Sequence, residues 1–159
     1  MFRIGHGYDV HKFTGVKQNI TIGGIDIPYH LGLEAHSDGD VLIHAMCDSI
    51  LGALALGDIG RHFPDTDAQF KNTDSKFFLA EIKKLLVKNN YQISNIDCTI
   101  VAQAPKMLPY VESMKACLAD VLAIKINQIN IKATTTEKLG FVGRKEGIAA
   151  HAVCLLYQI

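Results

Sequence analysis

Three features are missing from this sequence of 159 residues: a net charge, closely spaced cysteines and a long apolar run. Sixteen basic and sixteen acidic residues cancel, so no overall field attracts nucleic acid or an anionic membrane, and neither is predicted as a partner. The four cysteines, at positions 47, 98, 117 and 154, form no Cys-x-x-Cys pair. This spacing argues against a disulfide or cysteine–zinc framework and indicates a reducing compartment.

The longest apolar run, 41–56, is too short to cross a bilayer and is interrupted by His44 and Asp48. The first residues contain no apolar signal core. We therefore expect a cytoplasmic protein, or one of an organelle stroma if a transit peptide has been removed.

Strands and helices are predicted to alternate along the chain, and no repeat or linker divides it. We expect one layered α+β domain over residues 1–159. Strands are predicted at 2–11, in a Gly-Gly hairpin over 20–27, and at 91–104, 129–133 and 147–157. Helices are predicted at 40–56, 75–89 and 110–122, the first capped by Ser37 or Asp38 and ended by Gly57, with an acidic loop at 58–73.

Two short segments contain candidate metal ligands. On an extended strand, Asp9 and His11 point to the same face, about 6.6 Å apart along the backbone. With His44 as a third ligand they would form an Asp-His-His set that leaves the fourth tetrahedral position of a zinc ion open, as in catalytic sites. The alternative is a frayed strand end with solvated polar groups.

The first predicted helix is apolar nearly all round, yet it contains His44 and Asp48 one turn apart. Asp48 could hold the second ring nitrogen of His44, which is the outer support that metal-binding histidines usually have. The alternative is a histidine–aspartate pair that satisfies itself inside the core.

Three further segments suit an anionic ligand, each with a simpler alternative. His36-Ser37, before the first helix, could hold a phosphate at the helix N-terminus or could only cap the helix. The run 134–138, with three threonines, Glu137 and Lys138, would suit phosphate oxygens and Mg²⁺, or could be ordinary strand residues followed by an exposed ion pair. The loop 140–144, with Phe141 and Arg144, fits an anionic ligand or a turn.

With these residues assembled, the chain resembles the 2-C-methyl-D-erythritol 2,4-cyclodiphosphate synthase family along its whole length. The motifs that support the resemblance are Gly7-Tyr8-Asp9-Val10-His11, His36-Ser37-Asp38-Gly39-Asp40, Gly57-Asp58-Ile59-Gly60, Phe63-Pro64-Asp65-Thr66-Asp67, Ala102-Gln103-Ala104-Pro105-Lys106-Met107 and Lys132-Ala133-Thr134-Thr135-Thr136-Glu137-Lys138-Leu139-Gly140-Phe141. The resemblance implies conversion of 4-diphosphocytidyl-2-C-methyl-D-erythritol 2-phosphate to the cyclic diphosphate, with release of CMP.

The resemblance also implies residue roles. Asp9, His11 and His44 would bind one Zn²⁺ per subunit, and Glu137 would meet a Mg²⁺ or Mn²⁺ that arrives with the substrate. His36 and Thr135 would lie nearest the reacting group. The other positions implied to contact the cytidine diphosphate substrate are Ser37, Asp58, Ile59, Gly60, Phe63, Pro64, Asp65, Thr66, Asp67, Ala102, Gln103, Ala104, Pro105, Lys106, Met107, Leu108, Thr134, Thr136, Phe141 and Arg144.

The resemblance further implies a homotrimer, with a mixed sheet facing the threefold axis, helices outside and active sites between adjacent subunits. One departure is His151, where many relatives have an acidic residue near that axis. In those relatives Arg144 helps to form a central cavity that can hold an isoprenoid diphosphate, and the resemblance does not carry that ligand to this chain.

Two other functions fit the same residues. A zinc phosphodiesterase or nucleotide hydrolase would use the same ligands to activate water. A non-catalytic trimeric nucleotide sensor or scaffold would use zinc only to brace an interface. In the cyclase, the attacking 2-phosphate is already an anion, so positioning and charge compensation should dominate over general base catalysis.

Overall fold

A mixed β-sheet covered by helices on one face organises the computed structural model, which describes residues 1–64 and 66–159. The strands are β1 (Phe2–Thr14), β2 (Asn19–Ile22), β3 (Ile25–Pro28), β4 (Gly32–Leu33), β5 (Tyr91–Val101), β6 (Ile129–Thr134) and β7 (Gly147–Gln158). The helices are α1 (Val41–Ala53), α2 (Ile59–His62), α3 (Ser75–Lys88), α4 (Val111–Leu122) and α5 (Gly140–Gly143). The predicted mixed α+β architecture is confirmed.

The strand order β4-β1-β7-β5-β6 determines which loops meet. Strands β1 and β5 both run antiparallel to β7, and β6 runs parallel to β5. Val10 of β1 and Val101 of β5 both pair with Ala149, so they lie at the same level of the sheet. The metal-ligand end of β1 and the loops after β5 and β6 are therefore at one end of the sheet.

Helix α1 is almost entirely buried and packs against β1 and β7. Two glycines on the helix side of β1 allow this close approach. A Cβ atom at Gly5 would lie 1.9 Å from the carbonyl oxygen of Ser49, and one at Gly7 would lie 1.9 Å from that of Ala45. The glycines in the strand thus mark a close backbone contact, and the approaching group is α1.

The N-terminus of α1 differs from the prediction. Asp40 is the N-cap, with Oδ1 accepting the amide of Ile43, so neither Ser37 nor Asp38 caps this helix. Asp40 is fully buried and also accepts the amides of Gly23 and Gly24, whose positive φ angles make the predicted hairpin turn between β2 and β3. Burial raises the pKa of Asp40 to about 6. One buried carboxyl therefore joins the hairpin to the helix.

Other boundaries shift by a few residues. Helix α1 ends at Ala53, and Ala55 rather than Gly57 is the first left-handed residue after it. Strand β1 continues to Thr14, whereas β5 stops at Val101. The predicted acidic loop contains α2 and a 3₁₀ turn, Ala68–Phe70, each begun by an aspartate side chain that caps the first turn.

The two faces of the sheet differ. The helix side forms the hydrophobic core, while the opposite face exposes apolar side chains of β1, with Phe2 and Ile4 71% and 72% exposed. Tyr8, His6 and His151 lie on the same face, and His6 Nε2 is 3.1 Å from His151 Nδ1. Within residues 1–64 and 66–159, no helix is long and apolar enough to cross a membrane.

Candidate metal centre and active site

The three predicted metal ligands converge on one point. Asp9 Oδ2 lies 3.0 Å from His11 Nε2 and 2.9 Å from His44 Nδ1, and the two ring nitrogens are 3.2 Å apart. Strand β1 places two of the ligand side chains, Asp9 and His11, on one face. The close packing of α1 on Gly5 and Gly7 brings the third ligand, His44, to them. The side chains are 25%, 16% and 12% exposed, so one side of the cluster remains open.

This donor set fits a tetrahedral ion. Zinc bonds of about 2.0–2.1 Å require neighbouring ligand atoms to be separated by about 3.3–3.4 Å, so only small movements would admit the ion. One carboxylate and two imidazoles leave a fourth position for a substrate oxygen or water, as in catalytic zinc sites. The residues present could therefore hold zinc.

The charges of the cluster also favour a cation. Burial alone would raise the pKa of Asp9, but its contacts with His11 and His44 outweigh this effect and hold that pKa well below its usual range. Burial would lower the pKa of His11, whereas the contact with Asp9 raises it by more, so the net shift is upward. Asp9 is thus an anion at neutral pH, and a metal ion could balance its charge.

Both histidines have support behind the cluster. His11 Nδ1 is 3.0 Å from the carbonyl oxygen of Glu34, so that nitrogen donates and Nε2 faces the cluster. His44 Nε2 lies 2.9 Å from Ser75 Oγ and 3.2 Å from Ser37 Oγ. Hydroxyl groups, rather than the predicted carboxylate, support His44.

The expected role of Asp48 is therefore wrong. Its Oδ1 accepts the backbone amide of Ile59 at 2.7 Å, and so it fixes the start of α2 instead of the ring of His44. Burial raises the pKa of this carboxyl. Residues one helical turn apart share a face, but the nearer unpaired amide of α2 competes successfully for the side chain.

An open cavity of about 280 Å³ adjoins the metal ligands. Over the part of the chain that the structure describes, its lining comes from two metal ligands, the segment before α1, α2, and aromatic residues of the acidic loop and α3. The lining residues are His11, His36, Ser37, His44, Ile59, Gly60, Phe63, Phe70 and Phe78. Phe70 and Phe78 are site residues that no sequence pattern indicates, because only the packing of Phe63 against both reveals them.

His36 and Ser37 reach this cavity, but the reason predicted from the sequence is wrong. They lie before Asp40, and the first turn of α1 is buried and capped by that residue. The free amides of this helix are therefore not available to a phosphate bound beside His36. Any anion here would meet the side chains and the cation instead.

A second group of predicted residues forms where β5 and β6 end. The amide of Ala102 donates to the carbonyl oxygen of Thr134, and the amide of Lys138 donates to Gln103 Oε1 at 3.2 Å. Glu137 and Lys138 are successive residues with φ angles of 53° and 66°, a strained conformation for side chains with a Cβ. Thr135 Oγ1 contacts both the amide and the carboxylate of Glu137, which fixes the loop.

These contacts join the segment 102–108 to the segment 134–138, at the same end of the sheet as the metal ligands. Strands β1 and β6 are three strand positions apart, however, which corresponds to about 14 Å. A single chain therefore presents two groups of site residues rather than one closed pocket.

The remaining predicted residues occupy the edges of these groups. Asp58 caps α2, and Asp67 caps the 3₁₀ turn and contacts Gln69. Pro64 and Thr66 lie between them, and Asp65 is outside the described residues. Phe141 lies exposed in α5, and Arg144 makes a two-bond ion pair with Glu146.

Comparisons with known proteins show the family of this chain. A family model described as the YgbB family matches residues 2–157. The chain belongs to the YgbB family. It is 78% identical to 2-C-methyl-D-erythritol 2,4-cyclodiphosphate synthase of Francisella tularensis subsp. novicida over 157 residues, 99% of each chain. It is 79% identical to the synthase of Francisella philomiragia subsp. philomiragia over 155 residues, 98% of each chain.

Solved structures of YgbB-like proteins have the same fold. IspF of Plasmodium falciparum, in complex with CDP, superposes with a TM-score of 0.87 at 38% identity, over 99% of this chain and 96% of that one. The bifunctional IspDF of Campylobacter jejuni gives a TM-score of 0.91 at 42% identity. This chain spans 43% of that longer protein. The resemblance to the synthase family is confirmed.

Proposed function

We propose that this YgbB-family chain converts 4-diphosphocytidyl-2-C-methyl-D-erythritol 2-phosphate to 2-C-methyl-D-erythritol 2,4-cyclodiphosphate and CMP, as a phosphorus–oxygen lyase of non-mevalonate isoprenoid biosynthesis. The observation that supports this most is the convergence of Asp9, His11 and His44 beside an open cavity. The names of the relatives and the bound CDP in the Plasmodium structure point to the same chemistry.

Zinc bound by Asp9, His11 and His44 would withdraw charge from the phosphate that is attacked, and Mg²⁺ or Mn²⁺ at Glu137 would offset the charge of the diphosphate. His36 and Ser37 line the same cavity and would orient that phosphate. Their contribution is positional, because an anionic 2-phosphate needs no strong base.

The segments 102–108 and 134–138 would bind the remainder of the substrate. Residues Ala102 to Leu108 would form the cytidine pocket. The hydroxyls of Thr134, Thr135 and Thr136 now donate within the chain, and each would exchange that acceptor for a diphosphate oxygen when the substrate binds. The residues at 58–60 and 63–67 would surround the ribose and methylerythritol.

We also propose a homotrimer, which two features of the geometry support. The face of β1 and β7 opposite the helices exposes Phe2, Ile4, Tyr8, Val10 and Val153, a patch that association would remove from water. Association would also explain the distance between the two groups of site residues, because the metal ligands of one subunit would face the β5–β6 loops of the next. One zinc per subunit would then act between adjacent chains.

Product analysis tests this proposal. The full chain, with Zn²⁺ and Mg²⁺, is incubated with the substrate in water enriched in ¹⁸O, and ³¹P NMR follows the phosphates. We expect CMP and a cyclic diphosphate without ¹⁸O in new phosphorus–oxygen bonds. A linear diphosphate containing ¹⁸O would identify a hydrolase instead, and tight CDP binding without turnover would identify a nucleotide sensor.

A further inference from the structure

Two side chains behind His44, those of Ser75 and Asp38, have no part in the proposed reaction so far. Ser75, the first residue of α3, is fully buried and places Oγ 2.9 Å from His44 Nε2. Asp38 receives both hydrogen bonds of that serine: Oδ1 accepts from the Ser75 hydroxyl, and Oδ2 accepts from the Ser75 amide at 2.9 Å. The amide of Asp40 also donates to Asp38, at 3.1 Å, which fixes the carboxylate.

The Ser75 hydroxyl has only one proton, and this fixes which groups donate and which accept between Asp38, Ser75 and His44. A carboxylate accepts hydrogen bonds but cannot donate them, so the single proton of the Ser75 hydroxyl points to Asp38. The hydroxyl oxygen of Ser75 can then act towards His44 only as an acceptor. The shorter contact of His44 Nε2, the one to Ser75, is therefore a hydrogen bond only if Nε2 provides the proton. Ser37 Oγ, 3.2 Å from the same nitrogen, can accept from that N–H as well.

This requirement determines whether Nδ1, the His44 atom that faces Asp9 and His11, has a proton or a lone pair. A neutral imidazole has one N–H and one lone pair. If Nε2 keeps the proton, the lone pair is on Nδ1, the atom 2.9 Å from Asp9 Oδ2. If Ser75 donated instead, the proton would move to Nδ1 and occupy the position where a cation must bind.

We propose that Asp38 is a positioning residue which, through Ser75, keeps the proton of His44 on Nε2 and so makes Nδ1 the metal-binding atom. The proposal deepens the metal site on which the proposed function depends. Asp38 touches neither the cation position nor the substrate cavity, so it acts only through Ser75 and His44.

The arrangement also links the metal site to the acidic loop. The amide of Asn72 donates to the carbonyl oxygen of His36, and the amide of Asp38 donates to that of Thr73. Ser75 directly follows this paired segment. These two hydrogen bonds join the segment before α1 to the segment before α3, and so they help to position Ser75.

Zinc affinity of the full chain, measured by competition with a chromophoric chelator in the absence of substrate, tests the proposal. Ser75→Ala removes the acceptor, and Asp38→Asn allows the serine to reverse its hydrogen bond. We expect both variants to bind zinc about 10–100-fold more weakly, the usual effect of losing an outer partner of a metal-binding histidine. Asp74→Asn is the matched control, since Asp74 caps α3 through the Lys76 amide without touching His44, and we expect a change below about twofold.

A second measurement separates positioning from a purely structural role. In the zinc-loaded protein, the Nε2–H proton of His44 should give a slowly exchanging downfield NMR signal in the parent and in Asp74→Asn. In Ser75→Ala we expect this signal to broaden or disappear.

Unchanged zinc affinity in folded Ser75→Ala and Asp38→Asn would overturn the proposal. Zinc bound through Nε2 in the parent would overturn it without any variant. Because neither measurement uses the substrate, failure to form the cyclic product would contradict the proposed function and leave this inference intact.

Discussion

Gly7→Ala should damage both folding and metal binding, because the strand and α1 touch at this residue. The new Cβ would lie 1.9 Å from the carbonyl oxygen of Ala45, while ordinary contact begins at 3.4 Å. The helix must therefore move by the difference, 3.4 − 1.9 = 1.5 Å, and Ala45 directly follows His44. Forced overpacking of this kind costs about 1–3 kcal/mol of unfolding free energy, occasionally more.

The same displacement would open the metal site. If His44 moved with its neighbour, its Nδ1 would be drawn away from Asp9 Oδ2, from which it is now separated by 2.9 Å. Metal sites tolerate deviations of only about 0.2 Å, so we expect zinc affinity to fall at least about tenfold.

Urea unfolding with a chelator present measures the stability of Gly7→Ala, and chelator competition measures its zinc affinity. Gly52→Ala is the control, because Gly52 is exposed on the last turn of α1 and the nearest atom to its new Cβ would be 3.9 Å away. We expect Gly52→Ala to gain about 0.5–1 kcal/mol in helix stability. A Gly7→Ala variant as stable and as tight for zinc as the parent would refute the reasoning.

Three further predictions concern single side chains. His44→Ala should abolish zinc binding and nearly all turnover while circular dichroism stays unchanged; retained activity without bound metal would contradict the site. Glu137→Gln should raise the Mg²⁺ concentration needed for half-maximal turnover without lowering zinc content, and superimposable Mg²⁺ titrations would argue against its role. Asp40→Asn should cost about 1–3 kcal/mol, since a buried acceptor of three amide hydrogen bonds becomes partly a donor. Because the pKa of Asp40 is raised from 3.8 to about 6, its contribution to stability is largest below the unfolded value and falls as pH rises through this interval. Urea unfolding should therefore show the gap between parent and Asp40→Asn narrowing from pH 4 to pH 6.5, and a widening gap would contradict this sign.

Local patterns predicted those parts of the fold and the site that depend on short-range rules. The two-residue period of a strand places Asp9 and His11 on one face, and Gly23-Gly24 makes the hairpin turn that its composition indicates. The Asp-His-His cluster was predicted because its members are chemically distinctive, although 33 residues separate His11 from His44.

Contacts for which several side chains compete in the folded structure could not be predicted from such local patterns. Asp40 rather than Ser37 or Asp38 caps α1, because it alone also meets the two amides of the hairpin turn. Asp48 was assigned to His44 from helical spacing, but the start of α2 lies closer. Ser75 supports His44 although 31 residues separate them, and Asp38 holds Ser75 across 37 residues, which no sequence period reports.

The most direct test of the account is a crystal of the full chain with Zn²⁺ and CDP, measured with X-rays on both sides of the zinc absorption edge. We expect one anomalous peak per chain within bonding distance of Asp9 Oδ2, His11 Nε2 and His44 Nδ1, with a diphosphate oxygen as fourth ligand. Zinc bound elsewhere, or a fourth protein ligand that closes the site to CDP, would contradict it.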